Sequence, residues 1–178
     1  MGEPAENYIP QAIAVRLRRN AFWVWGAFTL LVLGWVLLIM LPPVALANGY
    51  QGLSTSLYRF FSFICHQIDV RSFHIDGHPF GVCSRCFGVY FGLFAGFVVY
   101  PFWRKVDDIE PLPRIWLFLS MLPIGIDWSL GVFGIWENTH VSRIITGGLL
   151  GFACATYIIP ALVEIFRYLL IKRETKAS

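Results

Sequence analysis

Four stretches of this chain hold enough consecutive apolar residues to cross a bilayer, and no other feature limits the fold as much. A spanning helix needs about 20 such residues. Residues 21–41 carry no charge, and residues 87–103 are shorter and also uncharged. Residues 115–136 contain one charge, Asp127, and residues 144–166 carry Glu164 near their end. Charged residues make up 14% of the chain, against about 25% in a soluble domain. That excludes a disordered chain and argues against an ordinary soluble enzyme. The expectation is an all-α membrane protein, a single integral domain over residues 1–178 built as a bundle of about four transmembrane helices. Pro42-Pro43 is expected to close the first span, since proline is tolerated at helix ends.

Lysine and arginine set the orientation of such a bundle. With the N-terminus inside, ten of the 14 fall on cytoplasmic segments and four, Arg59, Arg71, Arg85 and Arg143, on outer ones. Both termini are therefore expected in the cytoplasm, with residues 1–20 as a cytoplasmic arm and residues 48–85 as an outer loop. The net charge of +3 serves topology in this reading, and no nucleic-acid partner is expected. Ala45-Leu46-Ala47 resembles a signal peptidase site, but the apolar run before it, about 21 residues, exceeds the 7–15 of a signal peptide. An uncleaved helix is expected.

Two spans carry small residues at four-residue spacing: Gly88, Gly92 and Gly96 in one, Gly147, Gly151 and Ala155 in the other. Missing side chains let backbones approach in lipid, where the hydrophobic effect between helices is weak. The second and fourth spans are expected to touch.

Residues 53–64 of the outer loop are rich in aromatic residues, which suggests a helix on the membrane surface. Beyond them Cys65-His66-Gln67, His74, His78 and Cys83-Ser84-Arg85-Cys86 concentrate three of the four cysteines and three of the four histidines. Three readings of this cluster compete. In the first, Cys65, Cys83 and Cys86 bind a metal, zinc, with His66, His74 or His78 as the fourth ligand; thiolate and imidazole are zinc's usual donors. In the second, Cys83 and Cys86 exchange disulfides, their thiol pKa lowered at a helix start. In the third, a disulfide from Cys65 clamps the loop. Cys154, in mid-span, reads as a small packed residue.

The runs Cys65-His66-Gln67, Arg71-Ser72-Phe73 and Val82-Cys83-Ser84-Arg85-Cys86, continued by Gly88 to Gly92, resemble an uncharacterised prokaryotic integral membrane protein family of unknown function. A second match holds Pro123, Asp127 and Arg143-Ile144-Ile145-Thr146-Gly147. The resemblance covers roughly residues 55–160. It implies a small helical bundle in a prokaryotic plasma membrane and carries no established activity. The family pattern usually has a small or polar residue after the intramembrane Asp, where this chain has Trp128.

An aspartate near a helix centre costs about 2.5–3.5 kcal/mol on insertion scales, so Asp127 needs a partner or a wet cavity. Arg143, at the outer start of the fourth span, is the expected partner. Cys83, Cys86, Asp127 and Arg143 are expected to surround one outward-facing pocket. The leading functional reading is a zinc site beside this pocket. If it is catalytic, Asp127 serves as acid or base, Arg143 as an oxyanion clamp, and a lipid or isoprenoid as substrate. A quinone-coupled thiol–disulfide oxidoreductase using Cys83 and Cys86 is one alternative. A non-catalytic accessory subunit of a larger membrane complex is the other.

Overall fold

The four apolar stretches become four long helices, and prolines within them become points where separate elements are tied together. The computed structural model describes the backbone of residues 11–177 and the side chains of residues 15–170 and 172. In chain order it holds α1 (Gln11–Ala47), α2 (Gln51–Ser62), a two-stranded antiparallel hairpin of β1 (His74–Ile75) and β2 (His78–Pro79), α3 (Ser84–Trp103), α4 (Ile115–Val132) and α5 (His140–Ala177). α1, α3, α4 and α5 are each long and apolar enough to cross a membrane. The short α2 and the hairpin lie at one end of the bundle, here called the loop end. Residues 1–10 of the expected arm lie outside the described residues, and residues 11–20 are already helix continuous with the first span.

Several helix ends differ from expectation, and three of them have a clear local reason. Pro42-Pro43 does not close α1, which runs on to Ala47. A proline within a helix removes its own N–H and frees the carbonyl four residues back. Pro43 frees that of Ile39, which instead accepts the backbone N–H of Gly81 at 2.9 Å. Nearby, the Pro42 carbonyl accepts the Ser54 hydroxyl at 2.9 Å. In lipid such groups must find protein partners, so the kink-prone site becomes an anchor for the loop. α4 ends at Val132, before Trp136, because Gly134 takes φ +67° and Ile135 N–H bonds the Leu130 carbonyl, a Schellman stop. α5 starts at His140, before residue 144, because Thr139 Oγ1 accepts the Ser142 N–H at 3.1 Å and caps the first turn.

Proline glue recurs at the opposite end. Pro101 frees the Phe97 carbonyl of α3, and the indole N–H of Trp25 on α1 donates to it at 2.8 Å. Tyr157 of α5 donates to the Pro113 carbonyl just before α4 at 2.8 Å. Around these bonds Phe97, Tyr100, Ala155, Ile159 and Val163 form one buried cluster.

α3 and α5 make the most intimate contact. A Cβ placed on Gly88 would lie 2.6 Å from the Ile144 carbonyl oxygen, and one on Gly96 2.5 Å from Ala155 Cβ. Cβ atoms on Gly92, Gly147 and Gly151 would run into the Gly148, Arg85 and Val89 carbonyls. The two small-residue stripes face each other, with backbone on backbone.

α4 stands at the rim and packs chiefly on α5. Its single buried residue is its single charged one, Asp127. With apolar residues on every side, burial of this carboxylate is what distinguishes one face of α4 from another.

A second core lies under the loop end. Ile39 of α1, Phe61 of α2, Cys65, Phe80 and Val82 are buried there together. Trp35 meets Phe60, Phe61 and Tyr90 edge-on, with ring centroids 5.8–6.0 Å apart, a favoured aromatic geometry.

Candidate metal centre

The end of α2 and the start of α3 bring three thiols together. Cys65 N–H bonds the Phe61 carbonyl at 2.9 Å, continuing the last turn of α2, and the residue is buried in the loop-end core. Cys83 is the N-cap of α3, and Cys86 stands at its third helical position. Side chains at these two positions lie side by side, as they do in a capping box, which is why a C-x-x-C spacing can present two thiols to one point. The Sγ atoms of Cys65, Cys83 and Cys86 all lie within 4.8 Å of one another. Two thiolates on a tetrahedral zinc, each about 2.3 Å from the ion, stand about 3.8 Å apart. The three cysteines are positioned to hold a metal ion.

Within the cluster a thiolate is favoured at Cys83. The backbone N–H of Cys83 donates to Cys65 Sγ at 3.2 Å. Hydrogen bonds from Cys65 first, and then from Cys86, hold the Cys83 thiol well below its ordinary pKa. The N-terminus of α3 acts in the same direction.

The histidines take different places. His66 is exposed and lines the cavity that the three cysteines also line. His78 sits on β2 paired with Ile75, and His74 bonds Asp69 Oδ1 at 3.1 Å. None of the three histidines is among the described groups whose ligand atoms cluster with the three sulfurs, and His74 and His78 are held away on the hairpin. The hairpin turn explains this: Asp76 and Gly77 take φ +50° and +77°, the backbone of a tight type I′ turn. An Asp-Gly pair between two short runs was its legible signal.

Gln67, the third residue of the Cys-His-Gln run, closes the loop over the core. Its side-chain amide donates to the Tyr58 carbonyl at 2.9 Å and the Gly81 carbonyl at 2.8 Å. Its backbone is held at φ +47°, an uncommon region for a residue with a Cβ. Gly81, between this clamp and the Ile39 carbonyl, has no room for a side chain: a Cβ would lie 2.7 Å from the Phe61 ring. Gln67→Ala removes both bonds and keeps the strained φ. It is expected to raise the reactivity of Cys65 toward a maleimide by about tenfold, which corresponds to about 1.4 kcal/mol of lost clamping. Unchanged labelling rates in detergent-solubilised protein would contradict this role.

The aspartate is partnered differently from the sequence expectation. Asp127 Oδ2 forms an ion pair with Arg85 Nη2, not with Arg143. The Asn138 amide donates to the Asp127 carbonyl at 2.6 Å and to its Oδ2 at 3.0 Å. Arg85 lies in the first turn of α3 and Asn138 just before α5, so one carboxylate ties α4 to both. The sequence alone points to Arg143 as the partner, and Arg85, inside the Cys-x-Arg-Cys run, reads there as one of four dispersed outer arginines with no strong anion site. Its signal was its place at the start of the helix that packs on α5.

Arg143 lines the cavity instead, with Arg71 and Arg85. This cavity, about 250 Å³, has the three cysteines in its wall. It adjoins a second of about 770 Å³, and Arg71, Arg85, Trp128 and Arg143 line both. Trp128 forms part of the wall between them.

Known proteins place the chain in sequence space. A family model described as "Predicted membrane protein (DUF2085)" matches residues 65–157, just over half of the chain. That span opens on Cys65 and holds every cysteine, arginine and carboxylate just described for the centre. An uncharacterized protein of Methanocaldococcus jannaschii is 40% identical over 119 residues, covering 66% of this chain and 76% of its own. One of Methanothermobacter thermautotrophicus is 35% identical over 105 residues, covering 58% of this chain and 93% of its own. No solved structure matches. With its four apolar helices and the cysteine and arginine runs inside the matched span, the chain belongs to the DUF2085 family of predicted membrane proteins.

Proposed function

We propose that this protein carries a zinc centre on Cys65, Cys83 and Cys86 at the outward end of a four-helix membrane bundle. The observation that carries the reading is the convergence of three thiols from two helix ends, with a backbone N–H donated to one sulfur. Three protein ligands are the number found at catalytic zinc sites, where a fourth position stays open. The three cysteines would hold the ion in the wall of the arginine-lined cavity, which His66 also lines. A zinc ion so placed supplies Lewis acidity and lowers the pKa of a bound water toward about 7. In this reading Arg143 faces the reacting group, and Asp127 positions Arg85 rather than moving a proton, since Arg85 and Asn138 already engage it. A lipid or isoprenoid substrate suits a cavity that opens at the membrane surface. The excess of lysine and arginine at the other end supports termini on the cytoplasmic side.

Metal content per chain, measured by elemental mass spectrometry on protein purified without chelator or nickel resin, tests the centre. About one zinc per chain is expected, with the loop thiols unreactive until chelator is added. Cys83→Ser and Cys86→Ser are expected to lose most of it. Absence of metal, with two fewer free thiols that return on reduction, would overturn the reading in favour of a disulfide.

A further inference from the structure

The cavity beside the cysteines is lined by arginine from three separate elements. Arg71 comes from a single 3-10 turn before the hairpin (Asp69–Arg71), Arg85 from the first turn of α3 and Arg143 from the first turn of α5. Arg85 alone has a carboxylate partner. Among the described residues, no carboxylate lies within ion-pair distance of the Arg71 or Arg143 guanidinium. Glu137, on the wall of the adjoining cavity, is exposed. Three thiolates on a divalent ion would leave one negative charge and Asp127 adds a second, so within the cysteine-lined cavity the three arginines exceed the two by one, before the exposed Glu137 of the adjoining wall is counted. The N-termini of α3 and α5, which bring in Arg85 and Arg143, add positive potential from their unpaired N–H groups.

We infer that Arg71, Arg85 and Arg143 bind a phosphate-type oxyanion next to the cysteine centre. The inference rests on the metal reading for its chemistry and on the arginine geometry for its location. Guanidinium forks match phosphate oxygens two at a time, which a lysine cannot do. Three guanidinium groups from separate elements line one cavity, two of them without a carboxylate partner, and this concentration distinguishes the site from a diffuse basic patch. The phosphate has two sources, a free anion or the head of a lipid. A third, apolar cavity of about 500 Å³ lies farther along the bundle toward the opposite end, lined by Trp103, Leu112, Trp116, Pro123, Leu149 and Phe152. Pro123 stands one helical turn from Asp127. A phosphate carrying an isoprenoid tail would lay the tail along α4 toward this apolar cavity, and a free phosphate would occupy only the arginine-lined one.

The test uses the full chain in phosphatidylcholine nanodiscs, with zinc loaded and with zinc removed. The probes are inorganic phosphate and a long-chain polyprenyl phosphate incorporated in the discs. Phosphate is expected to bind and to compete with the lipid. Arg71→Gln and Arg143→Gln each weaken binding by about tenfold or more, and Arg143→Lys recovers only part. Tighter binding of the lipid than of phosphate identifies a headgroup site; equal affinity identifies a free anion. Protection of the wild-type arginines from phenylglyoxal by either probe gives the same answer should a variant not fold. Binding that persists without zinc, in a protein found to hold no metal, keeps the oxyanion site while removing the metal reading. Absence of binding and of protection in zinc-loaded protein overturns the inference and leaves the arginines as counter-ions of the thiolate cluster.

Discussion

Alanine at Gly151 is expected to destabilise the protein by about 3 kcal/mol or more, whereas alanine at Gly148, three residues earlier on α5, is expected to be neutral or slightly stabilising. The added methyl at Gly151 would run into the Val89 carbonyl of α3, backbone that cannot swing aside. The methyl at Gly148 would meet the Gly88 carbonyl oxygen at 3.7 Å, an ordinary contact. Overpacking costs about 1–3 kcal/mol where side chains can adjust, and separating two helices along their contact costs more. Alanine gains about 0.8–1.0 kcal/mol over glycine in helix propensity, and that gain is visible only where there is space. Gly147→Ala is expected to follow Gly151, because its methyl meets the Arg85 carbonyl beside the cysteine centre. Unfolding midpoints in one detergent compare the three variants. Equal midpoints for Gly148→Ala and Gly151→Ala would refute the register in which α3 and α5 face each other.

Removal of the Asp127 carboxylate is expected to be the other large effect. Asp127→Ala leaves Arg85 and the Asn138 amide without their shared acceptor. Breaking a buried pair from one side costs about 3–5 kcal/mol, and the Arg85 side chain is 21% exposed, so about 2–4 kcal/mol is the scale here. Replacing both partners, Arg85→Leu with Asp127→Leu, is expected to recover part of the loss, since no charge is then left unpaired. A double-mutant cycle measures the pair directly. Strong coupling is expected between Asp127 and Arg85, and weaker coupling between Asp127 and Arg143, which lines the cavity without bonding the carboxylate. Coupling of equal size in both cycles would contradict the observed pairing. The cycle also separates packing from chemistry, because it reads stability alone.

The number of spans was legible from composition and length because lipid imposes one rule on every residue of a spanning helix: backbone polar groups must be satisfied internally and side chains must be apolar. The contact between α3 and α5 was legible for a related reason. Glycines four residues apart mark one face of a helix, and only another backbone can use so close an approach. Cys83 and Cys86 stood together by spacing alone, as the N-cap and third position of one helix.

Azimuth and long-range contact were not legible. Arg85 and Arg143 both start helices at the loop end, and no local pattern says which of them α4 turns Asp127 toward. Packing of α4 on α5, which is itself packed on α3, brings Asp127 to Arg85. Cys65 reaches Cys83 across 18 residues because Pro43 frees the Ile39 carbonyl for Gly81 and because Gln67 grips Tyr58 and Gly81. His78 is drawn off onto a hairpin by the Asp76-Gly77 turn, while His66 remains at the cavity. Hydrophobic length and helical periodicity act within one segment and can be read along the chain. The partner of a freed carbonyl or a buried charge is chosen by whichever group the assembled helices bring within about 3 Å, and that choice exists only once they have packed.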